Sequence, residues 1–530
     1  MNETDTIKHG SSGVSESPGE NPAECRGDPG TPGARGDGGD LETPGGGSRQ
    51  SFLYHVFGSP GGGFSLLVYL VLGLLSGIAA AAADRMLIAA AGLVLVACIF
   101  FLLPGPKKLL HWMMLFFWGV LPLCGLAFLP ALSGLGSYLP MLVTFLLSVL
   151  LLLFFYNHPG IVKAPSPVTL PFWLSLGVYT AALLLSVLVA AHQPVSLLLS
   201  FRALLVLLVF FLLLGSYPWK RRQVESILWL TVCLGVMFGL AGLATAFLGD
   251  ISVGPFALEV YEYFYEVGLP RISSVFGNPN SLAIYLLYSL AATSILAALM
   301  LCRRPLLRQN ILFLLIFGVM GIQLLALLFT FSRSSFLALA VFAALFVWFN
   351  FRSLFYLGVV LCIPAVAFAY TAYSHILQEF LRISRLFAGR EAMWSDGVEL
   401  FGRSPLLGIG LGGWQVVTDW GVSVHNTYLR IAMELGAVGL LAYLGLVFSL
   451  LFIMVFRMGR LQPGTPRYVV LSGIVSLTAG LLAVKFFEVF FIGGTSFIEI
   501  YLVFLLSLGL ALAYRPPQPG QQKDWDTAGA

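Results

Sequence analysis

The chain has 530 residues, of which 58% are hydrophobic and only 10% charged, and its mean hydropathy is +0.90. Soluble domains carry roughly a quarter of charged residues, so this composition excludes an ordinary soluble protein and points to a polytopic membrane protein. The net charge of +4 is small and dispersed, which argues against nucleic acid as a partner, and the six cysteines (Cys25, Cys98, Cys124, Cys233, Cys302 and Cys362) lack the paired spacing of a zinc or redox motif.

Residues 1–60 are rich in Gly, Pro, Ser, Asp and Glu ("GDPGTPGARGDGGD") and hold too little apolar surface to fold alone, which predicts a disordered tail. The tail has no basic start leading into a short apolar core, so it does not read as a cleavable signal peptide, and the first apolar span after it is expected to anchor the chain. From residue 64 to 513 the chain reads as a transmembrane helical bundle, because apolar runs near the roughly twenty residues needed to cross a bilayer recur throughout. The expected spans are 64–82, 86–103, 111–131, 138–156, 168–190, 195–214, 226–248, 280–301, 310–331, 334–349, 353–372, 427–456, 469–490 and 494–513. The expected fold is therefore an all-α polytopic membrane protein of about 14 transmembrane helices, with two larger extracytoplasmic loops.

Orientation follows from the basic residues of the short loops. "PGPKK" at 104–108, "HPGIVKAP", "WKRRQ" at 219–223, "CRRPLLRQ" at 302–309, "NFRS", "RMGRLQPGTPR" at 457–467 and the tail from Arg515 all fall on one side of the alternating spans. The positive-inside rule makes that side cytoplasmic. Both termini, including a C-terminal tail over 514–530, are then expected inside, and the two sizeable outer loops are 249–279 and 373–426.

The unusual polar residues gather in those outer segments. In "LPRISSVFGNPNSLAIYLL", Arg271 precedes an Asn-Pro turn, and Asn280 or Ser281 is expected to cap the helix that follows, with its positive dipole end favouring an anion. Arg333 interrupts an apolar stretch from Ile311 to Phe349, where a guanidinium is costly unless it is solvated or paired; its plainer use is to snorkel and mark a helix end. "GREAMW" has helical spacing, with Arg390 and Trp394 on one face at i, i+4. Gly408, Gly410, Gly412 and Gly413 do not form a phosphate loop, since no strand precedes them and no Lys-Ser/Thr follows; backbone bending is their expected use. His425 heads "HNTYLRIAMELG", and no metal-ligand spacing surrounds it, so the imidazole is expected to act as base or hydrogen-bond donor. Lys485 and Glu488, three apart, are spaced to pair and to border the same cavity. Within the middle spans, Arg202 and Gln323 are the polar residues that a transporter could use.

Arginines on one face suit an anion with several oxygens, because the planar guanidinium fork grips two at once. Transfer from a lipid-linked diphosphate sugar needs such a site: arginines neutralise the departing pyrophosphate and a base takes the acceptor proton.

These motifs, Arg271 before "FGNPNSLA", the Ser332-Arg333 turn, "GREAMW", "PLLGIGLGGW" and "HNTYLRIAMELGAVG" with His425, Asn426, Glu434 and Gly436, resemble the O-antigen ligase and polymerase superfamily, the Wzy_C family. The likeness is densest over about 311–450, the expected O-antigen ligase-related core. The resemblance implies a metal-independent glycosyltransferase without cofactor, acting at the outer face of the cytoplasmic membrane. Its donor would be an undecaprenyl-diphosphate-linked glycan, and its acceptor lipid A core, another glycan or a protein side chain. On the family pattern Arg271, Arg333 and Arg390 would hold pyrophosphate, and His425 would assist the acceptor hydroxyl, with Asn280, Trp394, Asn426 and Glu434 in support. Ligase and polymerase remain alternatives within the superfamily, and a transporter or flippase is the rival outside it.

Overall fold

The computed structural model describes residues 106–123, 170–190, 192–253, 256–264, 268–301, 307–380, 390–420, 423–491 and 496–514, with isolated positions between 144 and 156 and Trp525. The tail at 1–60 and the spans expected at 64–82 and 86–103 lie outside the described residues, as does the C-terminal tail apart from Tyr514 and Trp525. Among the described residues, nine helices are long and apolar enough to cross a membrane. Together with their exposed apolar side chains, this makes the protein an integral membrane protein.

The first helices are α1 (Pro106–Leu123), α2 (Leu170–Val189) and α3 (Gln193–Leu207), the last running on through a π turn at Leu208–Leu213 and a 3-10 turn at Leu214–Ser216. Next comes α4 (Arg221–Leu248), whose first turn is closed by the Gln223 side chain accepting from the Lys220 N–H at 3.0 Å. The loop expected at 249–279 is partly β-structured. Strands β1 (Ile251–Val253) and β2 (Phe256–Leu258) form one antiparallel hairpin, and β3 (Val260–Phe264) with β4 (Leu269–Ile272) another, which sets Glu262 opposite Arg271. Its residues, "ISVGPFALEVYEYF", are β-branched and aromatic, and they pair where the chain leaves the helical bundle.

Four helices follow: α5 (Pro279–Leu301), α6 (Leu307–Phe329), α7 (Arg333–Asn350) and α8 (Arg352–Phe380). The shorter helices α9 (Arg390–Arg403) and α10 (Gly413–Val417) lead to α11 (Thr427–Met458), α12 (Pro466–Val484) and α13 (Phe497–Tyr514). Helices α5, α12 and α13 are buried on nearly every face and form the centre of the bundle. By contrast, α8 turns Leu354, Leu357, Val360, Leu361 and Ile363 outward, as a helix facing lipid does. The closest partnerships join α7 to α12, α2 to α11, α4 to α5 and α5 to α6.

In lipid, close packing and interhelical hydrogen bonds replace water exclusion as the force between helices. Gln323 of α6 donates to Ser289 Oγ at 2.9 Å and accepts from Thr293 Oγ1 at 3.0 Å, while Ser289 donates to the Thr231 carbonyl, so α4, α5 and α6 are tied together. Each such link contributes roughly 0.6–2 kcal/mol. Arg202 lies 3.8 Å from Glu499 of α13, both side chains being 2% exposed. These two sequence candidates for a transport path are thus built into the packing of the bundle.

Candidate active site

Arg271 sits on β4, one residue from the buried Ile272 that packs the hairpin onto the bundle. Its guanidinium has three partners: Nη1 donates to Glu262 at 2.9 Å, Nε to the Thr330 carbonyl at 2.9 Å, and Nη2 lies 3.5 Å from Asn280 Oδ1. The half-exposed Tyr261 ring stands 5.5 Å from it. Thr330 belongs to the tight turn before α7, so this single arginine connects the hairpin, the start of α5 and the Ser332-Arg333 turn. Arg333 itself opens α7, half-buried, behind the buried Ser332, whose hydroxyl is 3.0 Å from Ser335 Oγ.

The start of α5 differs from expectation in one respect. The cap is Asn278, not Asn280 or Ser281: its side chain accepts from the Asn280 N–H at 2.8 Å and its carbonyl from the Leu282 N–H. Pro279 then occupies the first helical position, where its missing N–H costs nothing and its fixed φ suits the helix. The Asn280 side chain, relieved of capping, is free to bridge, and its Nδ2 donates to Glu488 Oε1 at 2.6 Å.

Helix α9 brings its two predicted residues to the same place by different means. Arg390 Nη2 stands 3.6 Å from Glu488 Oε1. Trp394, one turn on, donates its indole N–H to the Val424 carbonyl at 3.0 Å and so holds the residue directly before His425. Asn426 is the cap of α11, accepting from Leu429 N at 3.0 Å, and the Thr427 N–H donates to the Lys485 carbonyl. Pinned on both sides, His425 adopts φ +52°, and its Nδ1 faces Glu488 Oε2 at 3.7 Å.

Glu488 is therefore where the predicted residues meet: His425, Arg390 and Asn280 address it directly, and Arg271 reaches it through Asn280. It was expected to border this cavity as the partner of Lys485, and that pairing does not form. The Lys485 side chain turns to the Phe490 carbonyl and lies over the Tyr443 and Phe490 rings at 5.4 and 4.1 Å. The signal available in the sequence was a carboxylate inside the apolar "VKFFEVFF". Burial pushes the Lys485 ammonium down to about 7, with Glu499 opposing that shift.

Glu434 stands apart from this cluster. It is buried against Arg430, whose Nε lies 3.2 Å away, beside a break in α11 at Gly436. Gly436 has φ +69°, and the glycine segment packs against the break: Ile409 N–H donates to the Met433 carbonyl, Gly410 N–H to that of Glu434, and Ala437 N–H to that of Pro405. A Cβ on Gly408 or Gly436 would collide with the facing backbone. The glycines serve close approach and bending, as expected.

Backbone strain also marks the site. Among the described residues, the non-glycine positions with positive φ are Ser274, Phe331 and His425, each within three residues of Arg271, Arg333 or the imidazole itself. Such conformations cost of order 1–3 kcal/mol and cluster where surrounding structure over-determines them for function. In chemical terms the cluster offers cationic donors for an anion with several oxygens, beside an imidazole that can accept a proton.

Residues 318–444 match the Wzy_C family, O-Antigen ligase. The match takes in Arg333, Arg390, Trp394, His425, Asn426 and Glu434, while Arg271, Asn280 and Glu488 lie outside it. No curated protein matches the chain.

Proposed function

We propose that this integral membrane protein, which carries an O-antigen ligase domain over residues 318–444, is a glycosyltransferase that moves a glycan from undecaprenyl diphosphate to an acceptor hydroxyl at the outer face of the cytoplasmic membrane. The observation that carries the reading is the meeting of Arg390, Asn280, His425 and, through Asn280, Arg271 on one carboxylate, from four separate elements.

The chemistry divides among them. Arg271, Arg333 and Arg390 bind the diphosphate and stabilise the negative charge that grows on the phosphate oxygen released from the anomeric carbon, a contribution worth about 10²–10³ in rate per well-placed donor. His425 accepts the proton of the attacking hydroxyl, which gives about 10²–10⁴. Trp394 and Asn426 hold the imidazole in place, Asn280 links the two arginine-bearing halves, and Glu434 supports the break in α11. The distribution of basic loops supports an outer site, where lipid-linked donors and a lipid A core or glycan acceptor are available without nucleotide.

Within the superfamily the ligase reading leads and polymerisation is the alternative; the two differ in whether the acceptor is a different molecule or a second lipid-linked glycan. Mass analysis of surface polysaccharide from a deletion strain separates them. Loss of attachment with full-length glycan accumulating on undecaprenyl diphosphate is the expected result. Loss of chain length instead points to a polymerase, and unchanged glycan with altered solute uptake overturns the reading in favour of transport.

A further inference from the structure

We propose that Glu488 is a positioning residue that fixes His425 in the tautomer able to act as base; the inference rests on the transferase reading and extends it to a residue outside the family match. The two oxygens of the carboxylate have different partners. Oε1 is committed to Asn280 Nδ2 at 2.6 Å and to Arg390 at 3.6 Å, whereas Oε2 faces His425 Nδ1 at 3.7 Å. A carboxylate held by one oxygen can offer the other only as an acceptor, so it selects an imidazole with its proton on Nδ1 and its lone pair on Nε2.

The backbone makes the same pairing rigid. Glu488 donates its N–H to the Val484 carbonyl at the end of α12, and its own carbonyl accepts from Thr427 Oγ1 at 2.6 Å, two residues after His425. Thr427 Oγ1 in turn accepts from Phe490 N at 3.1 Å, and the Lys485 side chain closes the turn on the Phe490 carbonyl. The turn carrying Glu488 and the turn carrying His425 are thus one hydrogen-bonded unit. The 3.7 Å separation is a contact that shortens to a hydrogen bond when the donor draws the site together.

In the reaction, the acceptor hydroxyl oxygen bonds to the anomeric carbon as the bond from that carbon to the phosphate oxygen breaks, and its electron pair leaves with undecaprenyl diphosphate. The hydroxyl proton passes to His425 Nε2. The imidazolium then donates from Nδ1 to Glu488, whose negative charge offsets the new positive one without either group leaving its place. Arg390 and Asn280 keep the carboxylate aimed while this happens. Among the described residues, the charged groups outside the pair that bear on Glu488 are Arg390 directly and Arg271 through Asn280, with Glu262 offsetting the latter.

The test is Glu488→Gln in the full chain in liposomes, with donor and acceptor extracted from membranes of the host strain and release of undecaprenyl diphosphate as the readout. Gln keeps an oxygen for Asn280 and turns its NH₂ toward His425 Nδ1, which forces the proton onto Nε2 and removes the base. Expected is a fall in kcat of about 100-fold or more with the donor KM within about threefold, and partial rescue by Glu488→Asp. Ring ¹⁵N shifts of His425, assigned by difference against His425→Gln, read the tautomer without any activity: Nδ1–H in the wild type and Nε2–H in Glu488→Gln. Wild-type kcat and an unchanged tautomer in Glu488→Gln overturn the inference and leave the transferase reading standing. Undiminished transfer in His425→Ala overturns that reading and the inference with it.

Discussion

At the scale of single residues, the arginines differ in how much freedom they have left. Arg271 is tied to Glu262, Thr330 and Asn280 before any substrate arrives, so its fork is already oriented and little side-chain entropy is lost on binding an anion. Lysine at this position keeps the charge and loses the planar fork that serves three partners at once. Arg271→Lys is therefore expected to reduce kcat/KM for the donor about 10–100-fold with the protein still inserted, as measured by donor turnover in liposomes. In the sequence, Arg271, Arg333 and His425 stand out as polar residues beside a turn or helix start, and Arg390 through its i, i+4 spacing with Trp394. Glu488 does not, since a lone carboxylate near a span end reads equally well as the partner of the nearby Lys485. Only the fold reveals that the lysine bonds a backbone carbonyl instead.

At the scale of elements, the break in α11 and the turn after α12 hold the site in shape. Gly436 combines φ +69° with direct backing on the Leu406 carbonyl, so a methyl group there meets both strain and a clash. Gly436→Ala is expected to destabilise the protein by about 2 kcal/mol or more, read as a lower melting temperature in detergent together with reduced transfer. The 485–490 turn carries its own pH dependence. Lys485 titrates near 7 in the fold against an ordinary 10.5, so between those values the unfolded chain binds more protons than the folded one. Stability must then rise as pH goes up through that window and fall as pH drops toward 7. The melting temperature is expected to increase from pH 7 to pH 9 in the wild type, and Lys485→Met is expected to lack that part of the slope. Apolar run length made nine of the expected spans readable among the described residues, because a bilayer demands it. The break at Gly436 was hidden inside an apolar helical pattern, and the hairpins before α5 were hidden because aromatic and β-branched residues suit a helix in lipid as well as a strand.

At the scale of the whole molecule, a buried charge pair joins α3 to the first turn of α13. Arg202 and Glu499 face each other at 3.8 Å with both side chains 2% exposed. Removing one partner of such a pair leaves an uncompensated charge, at a cost of about 3–5 kcal/mol, whereas replacing both by apolar residues is close to neutral. Glu499→Gln is expected to lower thermal stability sharply, and Arg202→Met with Glu499→Leu to restore most of it; equal stability of all three proteins would remove the pair from the account.

On the proposed reading, the imidazole of His425 and the arginines around it move a glycan off undecaprenyl diphosphate. The most direct measurement follows glycan transfer by the purified full chain in liposomes, from a labelled undecaprenyl-diphosphate glycan to acceptor extracted from the host strain, beside His425→Ala. Transfer by the wild type, reduced at least about 100-fold in His425→Ala with the protein still folded and inserted, is the predicted result. Equal transfer by both would contradict the account.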